Sequence, residues 1–352
     1  MAAVVILFDA LVFRSSFYLR WLEPQSVAGS TRNAVHRVEA TISPGRRNVL
    51  VMGNSKIGEG LSTALADATT EGSGLHFVSG FIPGSALRIW YYLLREIDPQ
   101  ANRFAAIVLA IPLSADEDLG TMAERVADIS YLAPLLRLQD LATFSSSFDS
   151  PALRDQARRA ILFPAQALRR DIAAFLGSPR HRYEKVRRTE ERSVAEFLSY
   201  RGNGVALPDL PIDPATRLPV HWNGVDERTK RGLTEHYFRW LHAVPSPAVA
   251  ASNERYYREW LTRIVERYRA SGTPIILIEV PRGPWHGTEA PVPRPTGAVA
   301  ELIAAGAVSA LPGDTFVDIE RPRNFFDLEH MNKSGREQFT VRLARRVAAL
   351  LH

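Results

Sequence analysis

The chain has 352 residues, 46% hydrophobic and 23% charged, with a formal net charge of +5. This is a globular composition, large enough for one α/β domain with an insertion or for two domains, and it excludes wholesale disorder. The absence of cysteine excludes disulfides, thiolate catalysis and Cys-type zinc sites. Basic residues are interleaved with acids, and no zinc-finger, RRM or KH pattern occurs, so nucleic acid is not an expected partner.

From Ala2 to Phe13 the chain reads AAVVILFDALVF, apolar except for Asp9, and Arg14 and Arg20 come next. The run is shorter than the ~20 apolar residues that span a bilayer. It lacks the positive n-region of a signal peptide, although SVA at 26–28 has the form of a cleavage site. Basic residues after the run oppose export of the downstream chain. Residues 1–44 read as an apolar anchor segment and linker, with 1–22 meeting a membrane surface or a membrane-protein partner. A buried first helix or strand is the alternative.

The clearest local signal is RRNVLVMGNSKIGEGLSTAL. A β-branched run over Asn48–Met52 ends at Gly53 and passes into a helical pattern, which is the opening of a βα unit. LHFVSGFIPGSALRIWYYLLREI repeats the scheme, with a strand over Leu75–Val78, a loop at Gly80, Pro83 and Gly84, and a helix from about Ser85. Further buried strands are predicted at 104–113 and 273–284, and a short fifth at 315–320. Helical patterns at 253–270 and 296–307 precede the last two. This alternation predicts a three-layer α/β/α, flavodoxin-like parallel sheet covered on both faces.

Between 121 and 252 the chain becomes helical and Arg-rich, then Pro-rich and irregular. It reads as an insertion between the two halves of the α/β domain, 45–120 and 253–352. The arginines of 154–188 suit an anionic polymer or lipid head groups, or simply form a solvated basic face. EHYFRWLH at 235–242 reads as core packing for the insertion.

In an open parallel sheet, ligands sit beyond the carboxyl ends of the strands. Ser55 falls at that edge, where backbone N–H groups at a helix start favour negative charge. A serine needs an adjacent base to act as a nucleophile, and a plain N-cap serine is the simpler reading of GNS. Near the other end, FFDLEHMNKSG places Asp327 and His330 three apart, sharing a face on a helical turn. That carboxylate could orient the imidazole for a serine, or merely cap a helix. Asp327 and Glu329 do not face each other on a helix and no third ligand is evident, so neither a metal nor a cofactor is expected.

VLVMGNSKIGEG and FFDLEHMNKSGREQF together resemble the first and last motif blocks of the SGNH (GDSL-type) hydrolase superfamily. More narrowly, they are similar to its acyltransferase-like branch, which includes alginate O-acetyltransferase-type proteins. The resemblance implies Ser55 as nucleophile, His330 as base and Asp327 as its orienting acid. Ser55 and Gly80 would supply oxyanion N–H groups, with Gly84 as the alternative glycine. It further implies an acyl ester donor and, as acceptor, either a polysaccharide hydroxyl or water, giving an O-acyltransferase or an esterase. The apolar N-terminal segment adds a membrane-associated setting on the periplasmic or extracytoplasmic face. The family's third block carries an oxyanion Asn, whereas the matching strand here ends VLAIPLSADED without one. Arg282, Trp285 and His286 lie just after the fourth strand and are expected to line a substrate groove. A catalytically degenerate accessory or scaffold subunit of a membrane-associated complex is the alternative to an enzyme.

Overall fold

The computed structural model describes all residues except 1–10, 14–15, 115–119, 214–215, 217, 239–243 and 286–291, and omits the side chains of 16, 229 and 236–238. Five parallel strands form one sheet: β1 Arg47–Met52, β2 Leu75–Ser79, β3 Ala106–Ala110, β4 Ile275–Ile278 and β5 Ser309–Ala310. Their order is β2-β1-β3-β4-β5, which is the doubly wound flavodoxin-like order. The chain is therefore α/β with the three-layer arrangement that its alternating pattern predicts.

The pleat divides each strand's side chains between two cores. Leu50 and Met52 of β1, Ile107 and Leu109 of β3, and Ile275 and Leu277 of β4 enter the first. The helices Val27–Thr41, Leu87–Ile97 and Pro247–Arg269 cover that face with Val38, Leu93 and Trp260, among others. Val49 and Val51, Val108, and Ile276 and Ile278 enter the second core. There they meet Ile57, Ala66, Phe339 and Leu343, from the helices Ser55–Gly60, Thr63–Thr69 and Lys333–Leu351. Strands buried on both faces explain why their sequences are continuous apolar runs rather than alternating ones.

Three local expectations are corrected. Within 1–44, read as anchor and linker, Val27–Thr41 is a 15-residue helix whose Ala34 and Val38 are fully buried against the sheet. Residues 1–10 lie outside the described residues. The fifth strand is Ser309–Ala310 rather than 315–320, where Val317–Ile319 forms a 3₁₀ turn. Burial of Val317 and Ile319 mimics a strand's alternation, but Arg342 holds the segment as a turn by donating to the Thr315 carbonyl and the Asp318 carboxylate. Finally, residues 326–330 are not helical: Phe325 and Met331 form an isolated antiparallel bridge that closes a bend between them.

The stretch between β3 and β4 is helical as expected, yet it shares the first core. Ile129, Leu132, Phe144, Phe148 and Ile161 all pack into it. The arginines of 154–188 are not a uniform solvated face. Arg182 is buried and bridges Glu23 and Asp171 at 3.2 and 3.0 Å. Tyr18 adds a hydrogen bond to Asp171 at 2.6 Å, tying the N-terminal region to these helices. In EHYFRWLH, the side chains of 236–238 and all of 239–242 lie outside the described residues. Among the described residues, no helix is long and apolar enough to cross a membrane.

Arg88 and Asp128, both fully buried, join the insertion to the core at 3.4 Å. Arg88 also donates to the carbonyls of Ala123 and Ser147 at 3.0 Å, and its guanidinium lies 4.0 Å from the centre of the Phe148 ring. Burial raises the Asp128 carboxyl even though Arg88 and Arg125 oppose the shift. Breaking such a pair leaves an uncompensated charge in the core, at a cost of roughly 3–5 kcal/mol. Asp128→Ala is therefore expected to lower the urea midpoint by that equivalent, while the paired change Arg88→Met with Asp128→Leu recovers much of it.

Candidate active site

Gly53 ends β1, and Asn54 caps the helix Ser55–Gly60, accepting the Lys56 N–H at 3.0 Å. Ser55 is thereby held at the first helical position, beyond the carboxyl end of an interior strand. The opposite wall comes from the other end of the chain. His330 Nε2 lies 2.8 Å from Ser55 Oγ, and His330 Nδ1 lies 2.8 Å and 3.0 Å from the two Asp327 carboxylate oxygens. Ser55, His330 and Asp327, proposed from sequence alone, thus form one continuous hydrogen-bonded chain. The Nδ1–carboxylate bond places a proton on Nδ1 and leaves Nε2 to accept from the serine hydroxyl.

The bend at 326–330 makes this spacing work without a helix. Asp327 Oδ1 accepts the backbone N–H groups of Glu329 at 2.9 Å and His330 at 2.7 Å, so one carboxylate shapes the loop and orients the imidazole. Phe326 stacks on the imidazole at an interplanar angle of 16°. Asn332 caps the helix Lys333–Leu351 by accepting from Gly335, and donates to the carbonyls of Val205 and Arg323. Gly335 is dictated by closeness: a Cβ there would lie 2.3 Å from the Asn324 carbonyl oxygen.

Sequence reasoning missed the supports from the middle of the chain. Leu207 N–H donates to the Phe325 carbonyl at 2.9 Å and Lys333 N–H to the Asn203 carbonyl at 2.8 Å, so 203–207 braces the histidine loop. Tyr200 donates to Glu59, four residues after Ser55. Burial and that bond push the Tyr200 hydroxyl up to about 12. Nothing in the irregular composition of this stretch signals these contacts.

Other expected site residues fall elsewhere. Gly80 donates its N–H to the Val51 carbonyl at 2.9 Å, continuing the β1–β2 ladder, so it cannot meet an oxyanion. Ser55 N–H, at the helix start, is engaged by no group among the described residues. Gly84, the alternative glycine, has φ +65°; its carbonyl accepts from Arg125, while its N–H has no partner among the described residues. Arg282 grips Glu320 with Nε and a terminal nitrogen at 3.0 and 2.8 Å. Trp285 packs in a satellite cluster with Leu210, Leu233 and Leu328. His286 lies outside the described residues. Among the described residues, no group of three His, Asp or Glu is placed to hold a metal ion.

A cleft of about 240 Å³ opens beside the serine, lined by Asn54 and Lys56 on one side and Glu329 on the other. Leu87, Trp90, Ile111, Met122 and Tyr257 form much of its apolar wall, and Arg125 and Glu279 add charge.

The hydrogen bond that His330 donates to Asp327 raises the imidazole above its ordinary 6.5, with burial opposing and the charges of Asp327, Glu329 and Glu59 adding to the rise. Burial would raise the Asp327 carboxyl, but hydrogen bonds from His330 and from the Glu329 and His330 amides hold it below the usual range. A base works only when neutral, so any Ser55-dependent activity should rise with pH through a midpoint above that of free imidazole. Asp327→Asn removes the charge, and the midpoint of kcat/KM against pH should move down. Activity at the plateau should fall by about 10³–10⁴-fold; a profile that keeps its midpoint would detach Asp327 from the base.

Compared with models of known protein families the chain matches none, and it matches none of the curated proteins.

Proposed function

We propose that this protein catalyses serine-dependent acyl transfer, with Ser55, His330 and Asp327 as its triad. The observation that carries the reading is the unbroken bond sequence Asp327–His330–Ser55 across 275 residues of chain, beside an open cleft. Ser55 Oγ attacks the carbonyl carbon of an acyl ester while His330 Nε2 takes the hydroxyl proton. Asp327 stabilises the resulting imidazolium. Collapse of the tetrahedral intermediate breaks the ester C–O bond, and His330 returns the proton to the departing alcohol. The acyl-Ser55 ester is then resolved by an incoming hydroxyl, which His330 deprotonates in turn.

The resemblance to the acyltransferase-like branch of the SGNH superfamily favours a sugar hydroxyl of a polysaccharide as that acceptor, with water giving an esterase. The apolar residues 2–13 would suit attachment to a membrane surface, while Arg14 and Arg20 after them oppose export. One observation favours the rival reading of a degenerate accessory subunit. The Gly80 N–H is engaged in the sheet, and the end of β3 carries no Asn. Loss of one oxyanion donor typically costs about 10²–10³ in rate.

Hydrolysis of p-nitrophenyl acetate, followed together with labelling of the protein by a fluorophosphonate, separates the two readings. The wild type is expected to turn over the ester and take one label on Ser55, while Ser55→Ala and His330→Ala drop to background. A folded wild type that neither hydrolyses nor labels would overturn catalysis in favour of the subunit.

A further inference from the structure

A tetrahedral intermediate on Ser55 carries a negative oxygen that needs donors besides the serine's own N–H. Much of the backbone around the site is already committed, the Gly84 N–H excepted. Gly80 and Ile82 donate to Val51 and Gly53, Ile111 to Ile278, and Leu113 to the Glu279 carboxylate at 2.7 Å. Pro112, between them, has no N–H. Ser85 N–H donates to Ile82. The end of β3, which lies between β1 and β4, therefore offers the oxyanion nothing from its own backbone.

Lys56 crosses this gap. It comes directly after Ser55 at the end of β1, and its ammonium donates to the carbonyl of Arg282, beyond β4, at 3.3 Å. Because β3 separates β1 from β4 in the sheet, and strands stand about 4.8 Å apart, the Lys56 side chain must span the end of β3. Lys56, Ala110, Ile111 and Pro112 accordingly line the same cleft. Among the described residues the Arg282 carbonyl is its only hydrogen-bond partner, so one of three ammonium donors is occupied and two remain. The other cation of the cleft, Arg125, is tied down: it donates to Gly84 and pairs with Asp128 at 3.3 Å.

We infer that the Lys56 ammonium, together with the Ser55 N–H, is the oxyanion-stabilising group of this site. This inference rests on the acyl-transfer reading of the triad. Lys56 takes the place where a neutral side-chain amide would otherwise stand. A point charge in the cleft that adjoins the nucleophile stabilises a full negative oxygen more than a neutral carbonyl, so its effect belongs to the transition state rather than to binding.

The test compares wild type with Lys56→Met, Lys56→Arg and Ser55→Ala in ester hydrolysis and in the rate of fluorophosphonate labelling, whose adduct sets a negatively polarised oxygen in the same position. Lys56→Met is expected to lower kcat and the labelling rate by about 10²–10³-fold with little change in KM. Lys56→Arg should recover part of the loss, and the pH midpoint set by His330 should stay near its wild-type value. Melting temperature and circular dichroism report whether each variant is folded. Ser55-dependent turnover that survives in Lys56→Met within about threefold would overturn the inference and leave the triad standing. Absence of any Ser55-dependent turnover or labelling in the wild type would remove both.

Discussion

Arg336 and Thr340, two buried side chains of the C-terminal helix, dock that helix onto the segment that carries the nucleophile. Arg336 donates to the carbonyls of Gly58 and Glu59 at 3.0 and 2.6 Å, and Thr340 exchanges hydrogen bonds with Gly60 and Ser62. These carbonyls end the short helix that begins at Ser55, where intrahelical partners run out. Burial lowers the Arg336 guanidinium, yet at hydrogen bonds of this charge-assisted kind each contact contributes about 1.5–3 kcal/mol. Phe339, Leu343 and Val347 then bury the same helix against the sheet. His330 stands three residues ahead of that helix, so its distance from Ser55 is set by this docking.

The stretch between β3 and β4 contributes to the same geometry from a second direction. Its Asn203, Val205 and Leu207 accept from or donate to Lys333, Asn332 and Phe325, bracketing the histidine loop on both sides. Its earlier helices deliver Asp128 to Arg88 beneath the cleft wall, and the neighbouring Leu87 and Tyr256 line the cleft. The Tyr256 hydroxyl meets the Arg88 N–H at 2.9 Å. What the sequence presents as an insertion is thus part of the frame around the site, packed into the first core and onto the loop.

Electrostatics at the site are arranged by turns rather than by regular elements. One Asp327 oxygen receives two backbone amides while the same carboxylate holds the imidazole, so loop shape and proton affinity cannot be varied separately. The charge distribution near the serine is mixed, with Lys56 and Arg125 facing Glu279 and Glu329. Buried or half-buried charges in such a cleft interact more strongly than they would in water.

The fold class was legible in the sequence, because short β-branched apolar runs alternating with helical periodicity suit strands buried on both faces. The sequence also identified the three members of the hydrogen-bonded chain, because the segments holding Ser55 and Asp327–His330 together resemble the motif blocks of a known family, although each alone reads as a capped helix start. It misplaced the last strand and the conformation of that loop, because Val317 and Ile319, or Asp327 and His330, have spacings that several backbone shapes satisfy. Tertiary structure decided the rest. Only the pairing of β1 with β2 commits the Gly80 N–H, only the Glu320 carboxylate withdraws Arg282, and only strand order carries Lys56 across β3. Each is a contact between residues far apart in the chain, where local propensity and periodicity carry no information about which groups will meet.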